Sequence, residues 1–197
     1  MKRQIGGPVI VLALVALAAT ACGRTAMARF YTLDSVATPD AGPLASYGVV
    51  VGPVTVPSSV DRPEFVVQVT PNRVAVDEFN RWAGPLDENI ARVVAGDLTT
   101  QLGTPRVAAA PAANFEAAYR VTINVQRFDS IPGREVVIDA VWSVRGPKGA
   151  ARSGRTVARE GVTDPSFDAL AAAHSRALAT VSADIASAIR AEAAGRG

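Results

Sequence analysis

Apolar and polar residues alternate along 119–126: Tyr119, Val121, Ile123 and Val125 fall on one side, Arg120, Thr122, Asn124 and Gln126 on the other. A period of two is that of a strand with one buried and one wet face. The stretch 134–146 repeats it, with Val136, Ile138, Ala140, Trp142 and Val144 in phase, and 152–162 continues it more weakly. Turns at Ile131-Pro132-Gly133-Arg134 and Gly146-Pro147-Lys148-Gly149 join the three runs, which predicts an antiparallel meander with one wet face.

Elsewhere the period is helical. Leu86, Ile90, Val93, Val94, Leu98 and Leu102 recur on one stripe that Asp97 alone interrupts, and Gly103 and Pro105 end the helix. A second helix is expected to start with Asp164 as N-cap and Pro165 at the first helical position. Its stripe is Leu170, His174, Ala177, Leu178, Val181, Ile185 and Ile189. Towards the N-terminus, 29–33 reads as a short strand and 34–46 as a polar loop. The valine-rich 47–57 reads as a strand broken by Gly52-Pro53, which suits a bulge or an edge. Two β-prone runs, 64–69 and 73–82, flank Thr70-Pro71-Asn72 as a hairpin. The alanine-rich 107–114 reads as a loop. No internal repeat is present. The pattern predicts one α+β domain over 30–192, a mostly antiparallel sheet with two amphipathic helices packed on it.

The first 29 residues have a different pattern. Lys2 and Arg3 precede an uncharged run that ends at Cys22, the chain's single cysteine. From Pro8 to Ala21 the run is short of the roughly 20 apolar residues a helical span needs. Ala19-Thr20-Ala21 supplies the small residues of a cleavage site, so 1–21 is expected to be a signal peptide. The stretch around Cys22 resembles a bacterial lipobox, although Ala19 stands where leucine is usual. In that motif the cysteine after the cut carries a thioether-linked diacylglycerol and an acyl group on its amine. Each buried methylene contributes about 0.8 kcal/mol, so three chains on one residue hold a protein permanently where one chain holds it marginally. Residues 22–29 then form the lipidated N-terminus and tether, in which the seven residues 23–29 reach at most about 25 Å. Gly23, rather than an aspartate, follows the cysteine. The motif thereby implies an outer-membrane anchor facing the periplasm.

Composition changes the picture in two ways. The whole chain carries 20 basic and 18 acidic residues, but Lys2 and Arg3 belong to the leader. The mature domain is therefore charge-balanced, with no basic cluster carrying interleaved aromatics, which argues against nucleic acid as a partner. With one cysteine there is no intramolecular disulfide, and a chain 49% hydrophobic can hold its fold by burial.

Candidate chemistry is sparse. His174 is the single histidine and sits on an apolar stripe, where it reads as a core residue rather than a base or metal ligand. Asp87 and Glu88 are adjacent, point about 100° apart on a helix, and suit its first turn better than paired acid–base work. No catalytic residue, metal site or cofactor is assigned, and a periplasmic hydrolase would need a nucleophile and base that the sequence does not offer. Trp82, beside Phe79 and Arg81 where strand gives way to helix, has two readings. It is either an aromatic plug at the sheet–helix junction or, with Arg81, a partner-facing anchor.

The segments 61–66 (DRPEFV), 72–83 (NRVAVDEFNRWA) and 85–98 (PLDENIARVVAGDL), following RFYTLDS, together resemble the ABC-type transport auxiliary lipoprotein family. The likeness is strongest over 29–102 and looser beyond. It implies a non-enzymatic accessory role for an outer-membrane lipoprotein working with a mammalian-cell-entry-type (MCE) periplasmic protein and its ABC transporter in moving lipid between two membranes. It carries over lipid attachment at Cys22 and marks Arg62, Asn72, Phe79 and Trp82 as family-like positions without individual roles. A lipoprotein activator or assembly factor for an envelope enzyme or secretion channel is the rival expectation. Homo-oligomerisation is left open.

Overall fold

Among the described residues eight strands pair into two sheets, and two helices cover the larger one. The computed structural model describes residues 27–149 and 151–195. Its elements are β1 (Arg29–Tyr31), β2 (Val49–Thr55), β3 (Glu64–Thr70), β4 (Arg73–Trp82), α1 (Leu86–Leu102), β5 (Val107–Ala109), β6 (Tyr119–Ile131), β7 (Glu135–Arg145), β8 (Ala151–Gly161) and α2 (Phe167–Ala193). Sheet order is β1-β4-β3 in the smaller sheet and β5-β2-β6-β7-β8 in the larger.

The meander β6-β7-β8 is antiparallel, as the alternation predicts, but β2 runs parallel to both β5 and β6, and β1 parallel to β4. The sheets are therefore mixed rather than purely antiparallel. Parallel partners need a long connection between them. Here the β3–β4 hairpin and α1 lie between β2 and its neighbours in sequence. Residues 107–109, expected as loop, form the edge strand β5. Gly52-Pro53 makes the expected irregularity, since the β2–β6 register shifts between Val51 and Val54, but it does so inside the sheet and not at its edge.

Both helices pack on one face of the larger sheet and against each other. Helix α1 ends at Gly103, whose positive φ of 64° lets its N–H reach the Thr99 carbonyl. The start of α2 differs from expectation. Ser166 is the N-cap, its hydroxyl accepting from Ala169 N at 3.2 Å, while Asp164 Oδ1 accepts from Ser166 N at 2.8 Å. Asp164 thus orients the cap instead of being it. Among the described residues no helix is long and apolar enough to cross a membrane.

Two titratable side chains, Asp97 and His174, are fully buried within this apolar layer. Asp97 lies on α1. Its Oδ1 accepts from Ser35 Oγ (2.8 Å) and Ala37 N (3.1 Å), and its Oδ2 from Ser182 Oγ of α2 (2.9 Å). Burial still holds its carboxyl above the usual range, against those donors. His174 is also fully buried, stacked on Phe128 at 3.8 Å, with Nε2 and Ser130 Oγ sharing a hydrogen bond of 2.8 Å. Burial pushes its pKa down to about 3, so the folded protein keeps it neutral.

The face assignment of β6 is directly testable. Ile123 is buried and Thr122 is on the open face, where its hydroxyl meets Ser143 Oγ at 2.8 Å. Ile123→Asp should cost at least about 3 kcal/mol in a denaturant melt by burying an unpaired charge, and Thr122→Asp no more than about 1 kcal/mol. Equal losses would reverse the faces.

His174 sets a pH dependence. An unfolded chain takes up its proton near 6.5 and the folded one near 3. Its contribution is therefore fully present above 6.5 and declines as pH falls towards 3. Between about pH 8 and pH 5 the loss should be about 2 kcal/mol. His174→Gln should lack this component, read as the difference between the two proteins' stability–pH curves. Parallel curves would show that the imidazole does not remain neutral.

Candidate docking surface

Two of the family-like segments, 61–66 and 72–83, run along the smaller sheet, and the third, 85–98, is α1. The geometry of the smaller sheet is set by Asp77. Glu64 pairs with Arg81, but the next residue of β3, Phe65, pairs with Asp77, so Glu78, Phe79 and Asn80 have no opposite number on β3. Asp77 Oδ1 gathers that surplus by accepting from Phe79 N (2.9 Å), Asn80 N (2.8 Å) and Asn80 Nδ2 (2.9 Å). Burial opposes ionisation of Asp77, yet these donors hold its carboxyl below the ordinary value. Asn80 in turn accepts from the Tyr31 hydroxyl at 2.8 Å, which fastens β1 alongside β4.

This bulge sorts the aromatics. Trp82 faces inward, 4% exposed, stacked on Phe65 with ring centres 4.3 Å apart and edge-on to Phe128 and His174. Phe65 also meets Tyr31 and Phe167 edge-on or nearly so. The cluster joins the smaller sheet to β6 and α2, so Trp82 fills the junction and leaves almost no area for a partner. Phe79 and Phe30 are instead exposed. Arg81 lies on the outer side, paired with Glu64, which Arg62 approaches at 3.4 Å. The Arg81 guanidinium holds the Glu64 carboxyl below the usual range.

Beyond the bulge the hairpin leaves the body of the domain. Residues 69–76 are all exposed, and Val69, Val74 and Val76 present 49%, 58% and 41% of their surface. Asn72 sits in the turn at the tip. Sequence reasoning flagged Phe79 and Asn72 but missed these valines. The available signal was the lack of any polar–apolar alternation in Val74-Ala75-Val76. Cys22 lies outside the described residues. A cleft of about 670 Å³ beside the β4–α1 turn, lined by Glu88, Asn89 and Arg92 among others, converges no reactive set, because Arg92 donates to Leu33 O (2.7 Å) and Asn89 Oδ1 (2.6 Å).

The architecture is that of solved structures of low sequence identity. One crystallised uncharacterised protein is 22% identical, with a TM-score of 0.69, covering 83% of this chain and 99% of its own. Protein XCC0632 from Xanthomonas campestris is 21% identical, with a TM-score of 0.67, covering 80% and 92%. No curated protein matches the sequence. Residues 31–186 match the family described as the ABC-type transport auxiliary lipoprotein component, and the chain belongs to that family. It is thus a member of a lipoprotein family that serves as an auxiliary component of ABC-type transport.

The burial of Trp82 generates a test of which surface is free. Trp82→Ala should cost about 3–5 kcal/mol and lower the melting temperature by about 10 °C. An unchanged melt would place the indole back among the partner-facing groups.

Proposed function

We propose that the protein is a lipid-anchored periplasmic lipoprotein of the outer membrane that acts as a non-enzymatic auxiliary component of an MCE/ABC-type intermembrane lipid transport system. The family match over 31–186 carries this reading, because it assigns the folded domain to ABC-type transport. The sequence supplies the anchor: Cys22 follows a small-residue cleavage site and stands seven residues before the first strand. Gly23 after that cysteine supports the outer membrane over the inner.

In this role the domain binds and positions a partner and performs no bond chemistry. Its ionisable groups fit that division of labour. Asp97 and His174 are buried as structural groups, and Asp139 is held by Arg155 through bonds of 2.8 and 2.6 Å, which keep its carboxyl below the usual range. The partner expected is the MCE-domain periplasmic protein of the transporter.

Metabolic labelling with a palmitate analogue should mark the wild type and not Cys22→Ser, and an MCE-domain protein should co-purify from crosslinked envelope extract. Labelled Cys22→Ser, or an exported wild type without label, would overturn the anchor. Repeated co-purification with a secretion channel in place of an MCE protein would overturn the transport partner.

A further inference from the structure

The end of the β3–β4 hairpin has a surface that the domain itself does not use. Residues 68–76 read Gln-Val-Thr-Pro-Asn-Arg-Val-Ala-Val, with Arg73 as the single ionisable group and no acidic residue. Val74 lies opposite Gln68 and Val76 opposite Val66, on one face, whereas the exposed Ala75, opposite Val67, lies on the other, and Val69 falls in the register shift between Gln68 and Thr70. The apolar surface therefore wraps both faces of the hairpin. A protein groove or a second copy covers one face of a ribbon, and a lipid interface surrounds both.

The direction of the chain supplies the second observation. Strand β1 runs parallel to β4 with Arg29 opposite Asn80. Residues preceding Arg29 therefore leave the sheet towards the start of β4, which is the hairpin end. Met27, the first described residue, is exposed, as is Phe30. From the level of Phe65 to Thr70 the hairpin extends about 17 Å. The seven residues between Cys22 and Phe30 span at most about 25 Å. The tether is therefore long enough for an anchored Cys22 to reach the level of the hairpin tip.

We propose that the β3–β4 hairpin tip is a membrane-contact element that inserts Val69, Val74 and Val76 into the phospholipid interface beside the Cys22 anchor, with Arg73 reaching lipid phosphates. This rests on the lipoprotein reading given above. The tip suits a shallow site, because its exposed turn carries the polar side chains of Thr70 and Asn72, which favour headgroups or water. A lone arginine at that depth extends its head to the phosphates while its stem stays among apolar groups. Two attachment points fix the domain's orientation, where a tether alone leaves it free to swing.

The test uses the full mature lipoprotein in phosphatidylethanolamine–phosphatidylglycerol vesicles. With Cys22 lipidated, Val74→Cys or the distant Asn124→Cys provides the free thiol for an environment-sensitive fluorophore. The label at 74 should shift to the blue and be quenched by acyl-chain nitroxide lipids at least about threefold more than the label at 124. Equal quenching at both positions overturns the proposal. So does shielding that grows with protein concentration without lipid quenching, which means a second copy, or shielding that requires an added envelope protein. A second arm separates this idea from the anchor itself. The unlipidated Cys22→Ser chain should float weakly with the same vesicles, and Val74→Glu with Val76→Glu should lower that partition about tenfold while leaving the melting temperature unchanged. If the wild type takes up no palmitate, the anchor reading fails and this flotation difference alone decides the hairpin. An identical partition for both chains overturns it.

Discussion

One buried carboxylate connects three parts of the chain that nothing local would bring together. Asp97 binds Ser35, 62 residues earlier, and Ser182, 85 residues later, so the connection after β1 and both helices meet at a single side chain. Removing its partners would leave an uncompensated polar group in an apolar layer, a loss larger than any one of the bonds is worth. Gly96 beside it makes the approach possible: a Cβ there would lie 2.9 Å from that of Ser35. The loop lies against α1 because the residue beside the carboxylate has no side chain. With that loop fixed, β1 is held in line with β4, and the direction of the N-terminal chain follows.

The smaller sheet has two ends with opposite characters. At one end Trp82, Phe65, Tyr31 and Phe167 form an aromatic joint to the rest of the domain. At the other the ribbon carries Val69, Val74 and Val76 into solvent. Asp77 lies between them and ends the regular pairing.

Local chemistry made some of this legible and hid the rest. The strict alternation of 119–126 and the stripe of α1 are nearest-neighbour signals, and the structure follows them. Phe79 and Trp82 are three residues apart on one strand, so alternation alone puts them on opposite faces. Which of them faces in depends on how the sheet meets α2, and no window of sequence reports that. The parallel neighbours of β2 were invisible for the same reason, since β5 and β6 lie more than fifty residues downstream. Residues 107–109 carry too little pattern to mark a strand that forms only because β2 offers an edge. Cys22, by contrast, lies outside the described residues, and its reading as a lipid anchor rests on a processing motif that owes nothing to tertiary structure.

The internal position of β2 also has a consequence for the order of events during folding. Its valines at 49–51 are completed on both sides by strands that are synthesised later, ending with β6. A chain emerging N-terminus first must carry this apolar segment unpaired while the hairpin and α1 pass, and closure must wait for residues beyond 119. Delayed pairing of this kind slows folding and prolongs the exposure of strand edges.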